Sequence, residues 1–423
     1  MKRTDDIKVG KLDWLTILVV VALALAGWLN IFAVVYDSQL DQNIFDVSMN
    51  SGKQLLWFGI SIVVVSLIMI LDFRFFDSFA YPIYGLVVLL LVSVLVFGTV
   101  VSGSKSWFEL GFVRFQPAEF AKFATALAIA KFLSKPQMKL DKLKTWIPLA
   151  IIVSVPAVLI VLQGDTGSAL VFSAFIVVFY REGLSTLLVL LGIVAVALFV
   201  LTLLLGQIYL IVGIVLVALI VIATGKRTRK RVLTTLAISV ITIGVVISVD
   251  YVVNNVLQPH QQNRVKAFIN PEADPLGYGY NVTQSKIAIG SGGFFGKGFL
   301  EGTQTKFDFV PEQSTDFIFC TIGEEHGWFG SFILVSLFVT LLLRVVFIAE
   351  RQKSNFARVY GYGVASILFF HFTVNIGMTI GLFPVIGIPL PFFSYGGSSL
   401  LAFSILIFIL LKMDAHRMQV LVR

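Results

Sequence analysis

Phe309-Val310-Pro311-Glu312-Gln313-Ser314-Thr315-Asp316-Phe317-Ile318-Phe319 joins the two kinds of sequence in this chain. Before it lies a polar segment, His260 to Thr315, rich in Gly, Gln, Asn, Asp and Lys. After it an apolar run reaches Ile348. A run of that length crosses a bilayer as a helix, for which ~20 residues suffice. Asp316 is therefore a carboxylate placed where loop meets membrane helix. An ionisable residue there is a functional candidate, and capping the helix that starts at Phe317 is the plainer alternative.

Working outward, the same pattern repeats. Of 423 residues, 57% are hydrophobic and 13% charged, against about 25% charged in a soluble domain. Backbone polar groups in lipid can be satisfied only by helices or closed barrels, and these apolar runs are continuous where barrel strands would alternate. The fold class is an all-α polytopic integral membrane protein. The net charge of +8 does not point to nucleic acid, because Lys and Arg cluster in short loops between apolar runs, as in cytoplasmic loops. One cysteine, Cys320, excludes an intramolecular disulfide, and four scattered His do not suggest a zinc site.

From Leu15–Val35 to Leu400–Leu411 the runs number about twelve. The loop after Phe132 holds Lys135, Lys139, Lys142 and Lys144, and Gly225 to Arg231 is the densest basic cluster. Putting both inside places the two termini in the cytoplasm and the long loop, residues 254–315, outside.

Charges in the outer loops break the pattern. Arg114-Phe115-Gln116-Pro117-Ala118-Glu119 runs on to Lys122. Pro117 suits the first turn of a helix, and Glu119 and Lys122 then share one face. That pair is either a structural ion pair with a snorkelling lysine or, with Arg114, a cationic site for an anionic headgroup. Trp107 reads as an interfacial anchor or a ligand platform. Asp165, in Gln163-Gly164-Asp165-Thr166, fits an N-cap or a site residue. Within the long loop, Asn270 to Gly277 has turn chemistry and Thr283 to Gly290 reads as a short helix. Gly290, Gly292, Gly293, Gly296 and Gly298, with Lys297, offer backbone N–H groups to a phosphate.

Together these segments resemble the SEDS (shape, elongation, division, sporulation) family. The resemblance is carried by Trp107 with Arg114-Phe115-Gln116-Pro117-Ala118-Glu119 and Lys122, Asn263-Arg264-Val265, Asp274-Pro275-Leu276-Gly277 and Gln284-Ser285-Lys286-Ile287-Ala288-Ile289-Gly290. It continues through Gly296-Lys297-Gly298, Gly302-Thr303-Gln304, Thr315-Asp316-Phe317-Ile318-Phe319, Gly323-Glu324-Glu325 and Phe393-Ser394-Tyr395-Gly396-Gly397-Ser398. Gly-Lys-Gly and Gly-Thr-Gln are similar to the elongation-type (RodA) branch more than to the division-type (FtsW) branch.

The resemblance implies one SEDS membrane domain over residues 1–423. It implies a peptidoglycan glycosyltransferase that polymerises lipid II, an undecaprenyl-pyrophosphate-linked disaccharide peptide, for cell-wall elongation and cell shape. It also implies a class B penicillin-binding protein as transpeptidase partner, within the elongation machinery. The family's catalytic aspartate falls on Asp316, with Trp107, Arg114, Gln116, Glu119, Lys122, Asp165 and Arg264 as further site positions. Transfer from a pyrophosphate carrier needs a base for the acceptor hydroxyl and cations for the leaving group. Asp316 is the candidate base. Arg114, Lys122, Lys286 and Lys297 are candidate cations, alone or with a divalent metal (magnesium or manganese).

Two departures stand out. Ser314 occupies the place two before Asp316 where the family usually has His. Leu184 to Ala223 adds two spans to the usual ten, which reads as an inserted helical hairpin over 184–223. A transporter (flippase) for the same lipid, and a division-type role, are the alternatives.

Overall fold

Helix dominates because continuous apolar runs leave no other way to satisfy the backbone in lipid. The computed structural model describes residues 12–36, 43–101, 103–111, 113–135, 138, 140, 143–225, 228–256, 259–269, 278–307 and 309–419. The turn segment Asn270–Gly277, together with Lys139, Lys142, Lys226 and Arg227, lies outside these residues. Among the described residues ten helices are long and apolar enough to cross a membrane. That is two fewer than the twelve expected; at the two other expected places stand shorter helices, Pro117–Leu133 and Thr166–Arg181.

The chain divides into two compact units, Met1–Gly183 with Asn281–Arg423, and Leu184–Tyr280. The second unit packs the helices Thr186–Leu205, Gln207–Thr224 and Arg229–Tyr251 against one another. Gly206, at φ 81, turns the first into the second. The first two of these helices carry few polar side chains and expose most of their apolar ones.

The first unit is centred on helices that do carry polar side chains. Pro117–Leu133 is almost wholly buried, and so are most of Asn355–Thr379 and Gly397–Ala415. Their polar groups would be costly against lipid, so they occupy the centre. Small residues let them approach: Gly363 lies against Ala126, and a Cβ on Gly361 would sit 2.7 Å from the Ala349 methyl. Ile318–Glu350 surrounds this centre and is broken at Gly327, whose φ of 64 is not helical.

The departure from an all-helical reading is a three-stranded antiparallel sheet, β1 (Thr99–Val101), β2 (Ser104–Leu110) and β3 (Val113–Phe115), in order β1-β2-β3. The membrane helix before it, Ala80–Phe97, stops short of the end of its apolar run, and Thr99–Val101 is strand. The polar segment before Asp316 is also more ordered than a loop, with helices Pro259–Ile269, Tyr278–Ser291 and Thr303–Lys306.

At the opposite end of the first unit three helices are clasped by charge. Asp13 caps Trp14–Val35, accepting from Thr16 N at 3.1 Å. It pairs with Arg344 and, at 3.0 Å, with Arg351. Arg351 also pairs with Asp414, which Arg417 meets at 3.1 Å. Both carboxylates are at most 4% exposed, and removing one partner of such a buried network leaves an uncompensated charge. Arg351→Met is expected to destabilise the protein by about 3 kcal/mol. A detergent-solubilised variant with the parent's apparent Tm would refute that weight.

Candidate functional site

The turn that carries Asp316 is held through its backbone. Asn375 Nδ2 donates to the Asp316 carbonyl at 2.9 Å and to the Ile388 carbonyl at 2.8 Å. Ser394 Oγ donates to the Thr315 carbonyl at 2.6 Å, and Tyr395 N to the Ser314 carbonyl at 2.9 Å. The turn is thus stitched to the Asn355–Thr379 helix and to the non-helical segment 388–395. Left-handed backbone at Glu312 (φ 54) and Phe392 (φ 64) marks both strips, as strained residues often do near functional sites. The N-cap of the following helix is Phe317, so Asp316 stands one residue outside the capping position. It is half-buried.

Pro117 opens its helix at the first turn, as expected, with Gln116 as N-cap. Glu119 and Lys122 are on one face and pair at 2.7 Å. The expectation of a snorkelling lysine fails, because both side chains are only 3% exposed. What holds the ammonium inside is a polar partner on the neighbouring helix, His371 Nε2 at 3.0 Å. Glu119 Oε2 is buried with no hydrogen-bond partner among the described residues.

The sheet brings further expected residues to the same wall. Glu109 and Arg114 are register partners on β2 and β3, and their side chains pair at 3.0 Å while staying well exposed. Trp107 lies half-buried on β2, its carbonyl accepting from Thr99 Oγ1 at 3.2 Å. The Arg114 carbonyl and the Gln116 N–H both bond to Ser398 Oγ, at 3.1 Å each. Gln116 Nε2 donates to Asp165 Oδ2 at 2.8 Å, and Asp165 also caps its helix, accepting from Ser168 N at 3.0 Å. Asp165 is thus an N-cap that also holds the Gln116 side chain. Burial pushes the pKa of the Tyr395 hydroxyl up, and the nearby Arg114 charge opposes it. Ser394 to Ser398 thus links the Asp316 turn to β3 and the Pro117 helix.

The glycine segment does something other than expected. Its N–H groups are not offered outward: Gly296 donates to Gly292 O, Lys297 to Glu324 O and Gly298 to Glu325 O. In return Trp328 and Phe329 donate to Gly293 and Phe294 carbonyls. The break at Gly327 frees backbone groups that the segment satisfies. A Cβ on Gly292 would fall 2.0 Å from Gly323 O, and one on Gly296 2.1 Å from Glu325 O. Lys297 is committed as well, donating at 2.7 Å to Glu324, whose side chain is fully buried. Glu324 also accepts from Thr303 Oγ1, Gln304 N, Thr305 N and Thr305 Oγ1.

Lys286 is exposed on Tyr278–Ser291, beside Gly381. Its neighbour Ser285 donates to the Thr379 carbonyl at 2.9 Å, which docks that helix on the end of Asn355–Thr379. Arg264 belongs to the second unit, half-buried on Pro259–Ile269. Among the described residues no group of three or more His, Cys, Asp or Glu could hold a metal ion.

Comparison with known proteins supplies the family context. A family profile for FtsW, RodA and SpoVE, described as "Cell cycle protein", matches residues 13–211 and 181–419. The peptidoglycan glycosyltransferase MrdB of Escherichia coli strain K12 is 35% identical over 81% of this chain and 80% of its own. Peptidoglycan glycosyltransferase RodA of Treponema pallidum is 32% identical over 97% of this chain and 99% of its own. A chain from a structure described as a peptidoglycan synthase complex superposes with a TM-score of 0.72 at 28% identity, covering 96% of this chain and 99% of that one.

Sequence reasoning passed over His371, Asn375, Ser394 and Ser398 as site residues. A signal was present, since His371 and Asn375 are the (i, i+4) polar pair of an otherwise apolar stretch. Glu324→Ala is expected to release the segment 292–306 from its anchor. Five hydrogen bonds are lost there, each to a charged acceptor worth about 1.5 kcal/mol or more. Amide exchange in 292–306 should rise at least tenfold, with little change in Asn355–Thr379. Equal exchange in variant and parent would show that Glu324 does not hold the segment.

Proposed function

The chain belongs to the FtsW/RodA/SpoVE family, and we infer that it is a peptidoglycan glycosyltransferase that polymerises lipid II. Relatives bearing that activity in their names match over four fifths or more of this chain. Those named MrdB and RodA favour cell-wall elongation and cell shape, although a sporulation protein of Bacillus subtilis, stage V protein E, is 31% identical over 96% of the chain. A transpeptidase of the class B penicillin-binding type is the partner such chemistry calls for, because glycan strands need crosslinking. The neighbour from a peptidoglycan synthase complex supports that choice. The protein works as a multi-pass component of the bacterial cytoplasmic membrane, with both termini inside, in keeping with the basic loops.

Asp316 acts as general base. It takes the proton of the acceptor sugar hydroxyl, whose oxygen attacks the donor's anomeric carbon with inversion. The bond to the carrier pyrophosphate breaks, and the leaving oxygen keeps the electron pair. Lys122, Arg114 and Lys286 are the cations that meet the developing charge. The observation that carries this reading is the stitching of the Asp316 turn, through Asn375 and Ser394, to the strip that also reaches β3 and the Pro117 helix. It fixes the carboxylate and the cations on one framework, and fixed geometry is what such a transfer requires.

Purified protein in detergent, given lipid II, should yield glycan strands on a gel. Asp316→Asn should lower the rate by about 100- to 10,000-fold, the weight of a general base, with the parent's Tm. Strands made by Asp316→Asn at the parent's rate would sink the mechanism. Lipid movement across vesicles without any strand formation by the parent would favour a transporter.

A further inference from the structure

We propose that His371 is a positioning residue for the transfer, one that acts by fixing the direction of the Lys122 ammonium. The inference deepens the reading of Lys122 and Asp316 as machinery of glycan polymerisation and rests on it.

His371 is fully buried in the Asn355–Thr379 helix. Its Nδ1 is 2.9 Å from the Pro389 carbonyl oxygen, which can only accept. Nδ1 therefore carries the hydrogen. Its Nε2 is 3.0 Å from Lys122 Nζ, which can only donate. Nε2 therefore presents a lone pair. One neutral tautomer satisfies both contacts, whereas a doubly protonated ring would turn a donor toward an ammonium. The imidazole cannot easily rotate away, because Phe403 meets it edge-on at 4.9 Å. Lys122 Nζ lies 5.2 Å from the centre of the same phenyl ring.

A lysine ammonium is a point charge with three rotatable donors on a flexible stem. Here one N–H goes to Glu119 Oε1 and a second to His371 Nε2. With two directions taken, the third is set, and it has no hydrogen-bond acceptor among the described residues. Glu119 Oε2 beside it is likewise without a partner. A donor and an acceptor left over in side chains only 3% exposed suit one ligand chemistry, an oxygen-rich polar group such as a sugar hydroxyl or a phosphate oxygen.

The same helix face sets the other half of the geometry. Asn375 is one turn from His371 and holds Ile388 O and Asp316 O, while His371 holds the adjacent carbonyl, Pro389 O. Cation and carboxylate-bearing turn are thus registered against two consecutive carbonyls of one strip. Deleting the imidazole acceptor should leave binding largely intact and misdirect the cation in the step where charge develops.

The test compares His371→Phe and His371→Gln with the parent in the lipid II polymerisation assay, with Tm measured on each. The glutamine amide can accept from Lys122 through its oxygen and donate to Pro389 O through its NH2 group. His371→Phe should lower kcat about 10- to 100-fold, the cost of misplacing a reacting group, with KM within about twofold. His371→Gln should recover kcat to within about threefold of the parent. A His371→Phe enzyme at the parent's kcat, a loss confined to KM, or a glutamine variant as slow as the phenylalanine one would each overturn the proposal.

Nitrogen NMR of histidine-labelled protein reads the contact without activity, and it decides the matter should His371→Phe not fold. The chain has four His, and His371→Gln identifies the resonance. Lys122→Met should shift Nε2 and leave Nδ1 protonated, whereas an unmoved Nε2 overturns the proposal. A parent that makes no strands refutes the enzyme reading instead, so the two failures are told apart.

Discussion

Asn375 donates one amide hydrogen to the carbonyl of Asp316 and the other to that of Ile388, and the first unit is organised by the need those two bonds meet. A backbone carbonyl that leaves helical geometry inside a membrane protein has no water to turn to. The turn 314–317 and the strip 386–396 are both non-helical. Each uses the other, or a buried side chain, as partner: Tyr395 N with Ser314 O, Ser394 Oγ with Thr315 O, His371 with Pro389 O. Irregular backbone at membrane depth is tolerated where protein encloses it. The bonds that make it tolerable also fix Asp316.

The packing follows from the same requirement. Side chains able to serve buried carbonyls, and the Lys122–Glu119 pair, must be screened from lipid, so the helices bearing them are central and closely packed. Gly363 of Asn355–Thr379 lies against Ala126 of Pro117–Leu133, and Gly361 against Ala349 of Ile318–Glu350. Helices without polar duties, such as Thr186–Leu205, expose their apolar side chains. The polar site thus selects which helices lie inside, rather than being added to a finished bundle.

Most of this was legible in the sequence at the scale of spans. Apolar runs set the helices, Pro117 marked a first turn, and three-residue spacing put Glu119 beside Lys122. The sheet is not evident from sequence because its strands are short: Thr99–Val101 continues an apolar run, and Ser104–Leu110 reads as part of an outer loop. Its signal was local: glycines at φ 84 and 65, Gly103 and Gly111, turn each strand into the next. The role of the glycine segment was misjudged for a different reason. Its N–H groups looked available until a break at Gly327, invisible in an apolar run, supplied carbonyls to take them. His371 and Asn375 stood in plain view, but their partners at positions 388 and 389 are joined to them only by tertiary contact.

The two acidic positions at the start of the Ile318–Glu350 helix, Asp316 just before it and Glu324 within it, are held in different ways. Glu324 has its side chain fully buried, with its oxygens taken by Lys297, two threonine hydroxyls and two backbone N–H groups. A carboxylate so saturated has no lone pair to offer a hydroxyl, and a lysine so engaged has no charge to lend a leaving group. Asp316 has its backbone carbonyl held by Asn375, and it is half-buried at the mouth of the helix. Lys122 differs from Lys297 in the same sense, since a neutral imidazole is its second partner and leaves its positive charge uncompensated on that side. Lys297 and Glu324 order the 292–306 segment, whereas Lys122 and Asp316 are tied to the Asn355–Thr379 helix, although all four residues lie in motifs that sequence alone would weigh equally.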